Sequence, residues 1–138
     1  MARLLAIDYG LKRCGIAVSD PNKIIATALQ TVPANELLNF LKRYTLSEKV
    51  EMFVIGYPRK WDNTDSEIVP DIKDFVEKLI VEIPGIPYVY FDERYTSKLA
   101  SKAMVEAGFK KKDRQIKSNI DKMAAAILLR EFMDQNKI

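Results

Sequence analysis

Acidic residues stand at three distant places in this chain, each where an apolar segment meets a turn or the start of a helix. They are Asp8, the neighbouring pair Asp92 and Glu93, and Asp121. A carboxylate beside a buried strand destabilises the fold unless its charge is compensated. A divalent ion shared by several carboxylates would compensate that charge. The pattern therefore predicts a metal site where the three segments converge.

The remaining reactive residue types narrow the chemistry of that site. The chain has one cysteine and no histidine, which excludes zinc sites built on those residues and hydrolysis by a Ser-His-Asp triad. A ligand set made only of oxygen favours one or two Mg²⁺ or Mn²⁺ ions. We expect Cys14 to be a small buried strand residue, with neither an intrachain disulfide nor a disulfide-linked partner.

The size and composition of the chain fit a single domain over residues 1–138. The apolar residues make up 48% of the chain and the charged residues 30%, a balance typical of soluble globular proteins. No segment reaches the roughly 20 apolar residues that cross a bilayer, and the N-terminus lacks the features of a secretory signal. We therefore expect a cytoplasmic protein with no membrane partner.

Charge is distributed unevenly along the sequence. Residues 62–82 hold seven acids against two bases, whereas residues 110–122 hold six bases against two acids. Runs of charge are usually solvated surface. This basic run, however, lies just before Asp121, and bases beside an acidic metal cluster suit a substrate with several phosphates. We predict that a nucleic-acid backbone binds to Lys110, Lys111, Lys112 and Arg114.

Apolar periodicity predicts an α/β domain with the element order β-β-β-α-β-α-β-α-α. The predicted strands span residues 4–8, 14–19, 24–32, 52–55 and 87–91. They can form a mixed five-stranded sheet flanked by helices, with right-handed crossovers between the parallel strands. In such a sheet, Asp8 and the pair Asp92 and Glu93 are expected at strand ends.

Capping residues and apolar stripes predict the helices. Asn35, Thr96 and either Ser118 or Asn119 are the predicted N-caps. Either choice for the last helix places Asp121 in its first turn, where the helix dipole favours an ionised carboxylate. The second helix, which begins near Pro70, is predicted to bury Ile72, Phe75, Val76, Leu79 and Ile80.

Four motifs follow one another along the chain. They are LAIDYG with KRCGIAVSD in residues 5–20, VIGYP at 54–58, DERYTS at 92–97 and IDKMAAAILL at 120–129. Together they resemble the YqgF family, also called RuvX, whose members are described as Holliday-junction resolvases or as pre-16S ribosomal RNA nucleases. The resemblance covers essentially the whole chain, and the four motifs together are far more specific than any one of them.

The resemblance implies a fold similar to ribonuclease H and metal-dependent hydrolysis of phosphodiester bonds. Asp8, Glu93 and Asp121 match the family's catalytic, metal-binding acids. Asp92 belongs to the same motif as Glu93, but neighbouring residues of a strand point to opposite sides. Either could be the metal ligand, and we favour Glu93. Water activated by the metal would be the nucleophile, which requires no histidine base.

Basic residues close to the motif acids are candidates for holding the phosphate backbone. They are Lys12, Arg13 and Arg94, although a structural salt bridge is an equally good interpretation of Arg94. The loop after Pro58 departs from the family pattern at residues 59–63, so its surface chemistry is expected to differ. Trp61 in that loop either stacks on a base or fills a packing gap.

Maturation of the 5′ end of pre-16S ribosomal RNA is the favoured function, and cleavage of Holliday junctions in DNA recombination is the alternative. Two other functions are alternatives. A nucleotide-binding module like those of sugar kinases would need two such domains, whereas this chain supplies one. A non-catalytic nucleic-acid-binding protein would not need all three acids. Phosphate contacts carry no sequence information, so the residues do not choose between RNA and DNA. A resolvase requires two symmetric sites, hence a dimer, and the sequence leaves the oligomeric state open.

Overall fold

Five strands form one mixed sheet in the computed structural model, which describes residues 2–58, 67–92 and 117–135. The strands are β1 (Arg3–Asp8), β2 (Arg13–Ser19), β3 (Ala26–Pro33), β4 (Val50–Tyr57) and β5 (Tyr88–Asp92). The helices are a short 3₁₀ helix (Ala34–Glu36), α1 (Leu37–Ser47), α2 (Val69–Glu82) and α3 (Lys117–Gln135). This order confirms the predicted α/β arrangement; the helix predicted to begin at Thr96 lies outside the described residues.

The strand order is β3-β2-β1-β4-β5, which places β1 at the centre of the sheet. β1 pairs antiparallel with β2, and β2 pairs antiparallel with β3. β4 is parallel to β1, and β5 is parallel to β4. The carboxyl ends of β1, β4 and β5 therefore lie along one edge of the sheet, which we call the carboxyl edge.

The two faces of the sheet carry separate apolar cores. Along β1, Leu5 and Ile7 pack with α1 and α2, whereas Leu4 and Ala6 pack with α3. We call these sides the α1/α2 face and the α3 face. A strand that is covered on both faces needs apolar residues at consecutive positions, which explains the unbroken run from Leu4 to Ile7.

Helix α3 packs on the sheet through small side chains. Ala125 is buried against a core that includes Ala6 and Ala17, two residues that face each other across β1 and β2. Leu128 and Leu129 are also fully buried there, and each such burial stabilises the fold by roughly 1.5–3 kcal/mol. Within the described residues, no helix is long and apolar enough to cross a membrane.

The start of α1 differs from the predicted one. Asn35 lies inside the 3₁₀ helix, whose N-cap is Pro33, and no side chain caps either that helix or α1. The predicted cap at Asn35 is therefore wrong. The chain leaves β3 through a tight 3₁₀ turn, and this turn delivers Leu37 directly into the core.

The start of α3 also differs. Ser118 and Asn119 lie inside the helix, so neither is its N-cap, and Asp121 lies in the second turn rather than the first. The predicted contribution of the helix dipole at Asp121 is therefore wrong, because that effect is confined to the first turn.

The apolar stripe of α2 agrees with the prediction except at one residue. Pro70 lies in the first turn, and the buried positions include the predicted Ile72, Phe75, Val76 and Leu79. Ile80 is 48% exposed instead. It follows Leu79 by one residue, which on a helix is a rotation of about 100° away from the core.

The turn between β2 and β3 is organised by one carboxylate. The Oδ1 atom of Asp20 accepts hydrogen bonds from the N–H groups of Ile24 (2.7 Å) and Ile25 (2.8 Å), and Oδ2 accepts one from Asn22 (3.2 Å). These bonds keep residues 20–25 in the turn, so β3 begins at Ala26 rather than at the predicted residue 24. The same bonds, that from Ile25 foremost, hold the pKa of Asp20 below its ordinary value.

Replacing this carboxylate should destabilise the fold in a pH-dependent way. A lowered pKa in the folded state means that the stabilisation is complete above about pH 3.9, the ordinary value of an aspartate, and is lost at lower pH. We expect Asp20→Ala to have a lower Tm than the wild type near neutral pH, with the difference shrinking in acid. Thermal melts between pH 7 and pH 3 measure this difference in Tm, and the exposed Glu36→Ala is the control. A difference that does not change with pH would contradict the role of the charge.

Candidate metal and nucleic-acid site

Asp8 is the last residue of β1 and lies at the carboxyl edge. Side chains alternate along a strand, so Asp8 shares the α3 face with Leu4 and Ala6, which belong to the core under α3. The residue is half-buried. A carboxylate is therefore presented at the edge of the sheet, at the end of its central strand.

Two glycines flank Asp8 on the neighbouring strands. Asp8 pairs with Gly15 of β2, and on the other side Gly56 follows Ile55, the residue of β4 that pairs with Ile7. Paired residues lie on the same face of a sheet, so neither neighbouring strand places a side chain beside Asp8. At the level of Asp8, the two strands beside β1 therefore contribute backbone only. The sequence shows both glycines, but only the strand register shows that they lie beside Asp8.

Asp92 ends β5 at the same edge but on the opposite face. It pairs with Tyr57, whose ring contacts Tyr90 at a centroid distance of 5.1 Å, and Tyr90 packs against the α1/α2 core. Phe91, between them, packs instead on the α3 core. The structure therefore does not bring Asp92 and Asp8 together on one face.

The remaining predicted acids are described in part or not at all. Glu93 lies outside the described residues. Asp121 is described by its place in α3, four residues before the buried Ala125 and seven before the buried Leu128. Among the described side chains, those of residues 2–58, 67–92 and 123–135, no group of three or more acids, histidines or cysteines is close enough to hold a metal ion.

The ligand chemistry on the α3 face fits a hard divalent cation. Asp8 offers carboxylate oxygens, the donor type that Mg²⁺ and Mn²⁺ prefer. The one soft donor, Cys14, is buried in the α1/α2 core as predicted, and its thiol donates to the carbonyl oxygen of Gly10 at 3.6 Å. Sulfur is therefore kept away from the face that carries Asp8.

Two predicted phosphate-binding residues lie in or beside the hairpin that follows Asp8. Lys12 and Arg13 are exposed, and the carbonyl oxygen of Lys12 accepts a hydrogen bond of 2.9 Å from the N–H of Ala34. Arg13 pairs with Pro33 and, two residues from Gly15, belongs to the α3 face. Both bases are thus held at the carboxyl edge with Asp8. The other predicted nucleic-acid contacts lie outside the described residues: Arg94, Lys110, Lys111, Lys112, Arg114 and Trp61.

Tyr9 fixes the end of β1 from the other side of the sheet. Its ring stacks on Phe75 of α2 with a centroid distance of 5.3 Å and an interplanar angle of 30°. Burial, followed by the nearby Cys14, Asp71 and Asp74, raises the pKa of the Tyr9 phenol above its ordinary value. The phenol therefore stays neutral and serves as an anchor. The sequence interpretation did not select Tyr9, although its place one residue after Asp8 assigns it to the opposite face.

Comparison with known sequences gives a consistent result over the whole chain. Residues 2–135 match the family model described as "RuvX: Holliday junction resolvase". A protein of Amoebophilus asiaticus named "Putative pre-16S rRNA nuclease" is 49% identical over 99% of this chain and 97% of its own length. A protein of Bacteroides fragilis with the same name is 47% identical over the full length of both chains.

Comparison with solved structures shows a shared fold. RuvC of Thermus thermophilus, solved in complex with a Holliday junction substrate, superposes with a TM-score of 0.59 at 15% sequence identity, covering 98% of this chain and 96% of that one. A second structure of Thermus thermophilus RuvC gives a TM-score of 0.53 at 16% identity, covering 96% and 95% of the two chains. The mixed sheet with helices on both faces is therefore the ribonuclease H-like fold that was predicted.

Gly10→Ala should damage the edge that carries Asp8. A Cβ atom at residue 10 would clash with the backbone carbonyl oxygen of Arg13, at the start of β2, so the backbone there would have to shift. We expect a loss of stability of about 1–3 kcal/mol, together with a fall in activity that persists below the melting transition. Urea unfolding and nucleolytic cleavage rates measure the two effects, with Gly85→Ala, at a distant turn, as the control for stability alone. Wild-type activity in Gly10→Ala would contradict the role given to the hairpin.

Proposed function

This chain belongs to the RuvX family, and we propose that it is a metal-dependent nuclease acting in 5′-end maturation of pre-16S ribosomal RNA. The reaction is hydrolysis of phosphodiester bonds. The observation that carries the proposal is the position of Asp8, half-buried at the carboxyl edge with Gly15 and Gly56 on either side. That position presents carboxylate oxygens, the ligand type that a hard divalent cation prefers, between two strands that place no side chain beside them.

Glu93, rather than Asp92, is the proposed second acid. Asp92 shares the α1/α2 face with Tyr57, whereas Asp8 belongs to the α3 face. Asp92 is thus turned away from Asp8, which leaves its sequence neighbour Glu93 as the candidate ligand from this motif. The position of Asp92 therefore supports Glu93, where the family resemblance left both acids open.

Asp121 is the proposed third acid. It precedes the buried Ala125 by four residues and the buried Leu128 by seven, and helix residues at these spacings share one face. The face in question packs on the same side of the sheet as Asp8. This placement supports Asp121 as the carboxylate that α3 contributes.

The three acids would hold one or two Mg²⁺ or Mn²⁺ ions. When bound, such an ion neutralises charge on the scissile phosphate and makes water a stronger nucleophile at neutral pH. Asp8 supplies oxygen ligands from a rigid strand end, while the exposed Lys12 and Arg13 would hold the flanking phosphates. Arg94 and the basic run at 110–114 would extend that contact along the backbone.

Relatives at 46–49% identity share a name that specifies pre-16S ribosomal RNA, which favours this substrate and a cytoplasmic site of action. The Holliday junction is the second candidate, because the family model is described as a resolvase and the junction is the substrate in the RuvC complex. A resolvase must cut two strands symmetrically and so needs a dimer, whereas trimming an RNA end needs one site. The mass of the protein in solution therefore bears on the choice.

Removing any one of the three proposed ligands should abolish cleavage without unfolding the chain. Asp8→Asn, Glu93→Gln and Asp121→Asn each remove one charge and almost no volume. We expect cleavage to fall by about 100-fold or more in each, with Tm close to that of the wild type. The measurement is the rate of Mg²⁺-dependent cleavage of a 5′-extended 16S precursor, alongside a thermal melt of each variant.

Asp92→Asn is the matched control for those variants, since it also replaces a carboxylate by an amide, at an acid that lies on the face opposite Asp8. It should cleave at a rate close to that of the wild type. Full activity in any two of the three ligand variants would contradict the three-acid site. Equal losses in Asp92→Asn and Glu93→Gln would contradict the assignment by face.

The lysines at 110–112 should govern the salt dependence of binding. Replacing all three with serine removes up to three phosphate contacts, so the slope of log K against log salt should flatten by roughly 2 for single-stranded RNA. The rate at saturating substrate should change little. The matched control replaces three exposed lysines: Lys49, which directly precedes β4, and Lys73 and Lys78 on α2. If the salt dependence of the 110–112 variant has the wild-type slope, these lysines do not contact the RNA backbone.

A further inference from the structure

A groove runs between α1 and α2, on the side of the sheet opposite Asp8. It consists of two adjoining cavities of 320 Å³ and 450 Å³. Leu38 of α1 and Lys78 of α2 line both cavities, which makes them parts of one depression. We call it the α1/α2 groove.

One stripe of α2 forms a wall of this groove. Its lining residues on α2 are Asp71, Asp74, Phe75, Glu77, Lys78, Val81 and Glu82. They span twelve residues, or roughly 16 Å of helix, which is about three turns. At one end Tyr9 stacks on Phe75, and at the other Lys42 of α1 binds Glu82 at 3.2 Å. The groove therefore has defined ends and a length that suits a short segment of chain.

The rim of the groove is acidic, although the whole chain carries a formal charge of +3. Helix α2 holds four acids and two lysines. In the described part of the chain, Asp71, Asp74 and Glu77 form no salt bridge. These carboxylates would repel a nucleic acid and attract a cationic partner.

The groove also exposes apolar surface. Val81 is 77% exposed, Leu38 is half-buried, and Phe75 lies in the cavity wall beside Tyr9. Apolar side chains flanked by unpaired acids form the counterpart of an amphipathic helix that has lysine or arginine around an apolar stripe.

We propose that the α1/α2 groove docks a basic amphipathic helix of a protein partner. The apolar stripe of that helix would lie on Leu38, Phe75 and Val81, and its basic residues would meet Asp71, Asp74 and Glu77. The proposal goes beyond the nuclease reaction and does not depend on it, because the groove and Asp8 lie on opposite faces of the sheet. The chain would thereby hold a nucleic acid on one face and a basic protein on the other.

A labelled synthetic helix of about 12 residues, or three turns, tests the proposal, with leucines at helical spacing and lysines elsewhere. Its affinity for the full chain is measured by fluorescence anisotropy. Asp74→Lys should weaken binding about tenfold, as expected for reversing one charge at an ionic contact, and Val81→Ser should weaken it severalfold. Asp134→Lys on α3 and Ile80→Ser beside the groove are the matched controls, and both should bind as the wild type does.

Three outcomes would overturn the proposal. Equal loss in Asp74→Lys and Asp134→Lys would mean that the peptide responds only to net charge. Equal affinity for a peptide of the same composition with its leucines scattered would mean that the apolar surface is not used. A concentration-dependent dimer of the chain that Val81→Ser abolishes would assign the groove to a second copy. Asp8→Asn should bind the peptide as the wild type does. Failure of the proposed nuclease function would therefore not change the expected peptide binding.

Discussion

The strand register of β1 is the constraint on which the rest of the molecule depends. β1 lies at the centre of the sheet, buried on both faces, and its side chains alternate between two separate cores. A shift by one residue would exchange the two sets and move Asp8 to the other face. The pairing of Ile7 with Ile55 and of Asp8 with Gly15 therefore fixes both the core and the position of the acid.

The same alternation places the proposed metal site and the proposed docking surface on opposite faces of the sheet. Asp8 belongs to the α3 face, where oxygen ligands and neighbouring glycines suit a metal and a phosphate. Tyr9, the next residue, anchors the strand end to Phe75 on the other face and borders the acidic groove between α1 and α2. Two adjacent residues thus connect the proposed reaction on one side with the proposed docking surface on the other.

Much of the fold could be predicted from the sequence because its elements are set by apolar periodicity. The order of strands and helices and the burial of Cys14 required only local patterns. The predictions were wrong at two helix starts, where the neighbouring structure and not the local sequence determines the boundary. Asn35 lies inside the 3₁₀ helix and is not a cap. Helix α3 includes Lys117, so Asp121 lies in its second turn. Ile80 was placed in the core by its apolar type, although its helical angle points it to solvent.

The sequence nominates residues for the candidate site but does not give their geometry. The sequence motifs single out Asp8, and the structure places it at the carboxyl edge as expected, while Glu93 and Asp121 as ligands stay predictions. The contribution of Gly15 and Gly56 could not be predicted, because a glycine leaves space beside a particular side chain only in a particular register. The separation of Asp92 from Asp8 likewise required the packing of Tyr90 and Phe91 on opposite cores.

The most direct test of this account is cleavage of a 5′-extended 16S precursor RNA and a four-way DNA junction, measured side by side. Each reaction is run with Mg²⁺, with Mn²⁺ and with chelator, using the wild type and Asp8→Asn. The account predicts that the precursor is cut only with metal and only by the wild type. Precursor cleavage that survives chelation or the loss of the Asp8 charge would contradict the metal site, and cleavage of the junction alone would contradict the ribosomal RNA assignment.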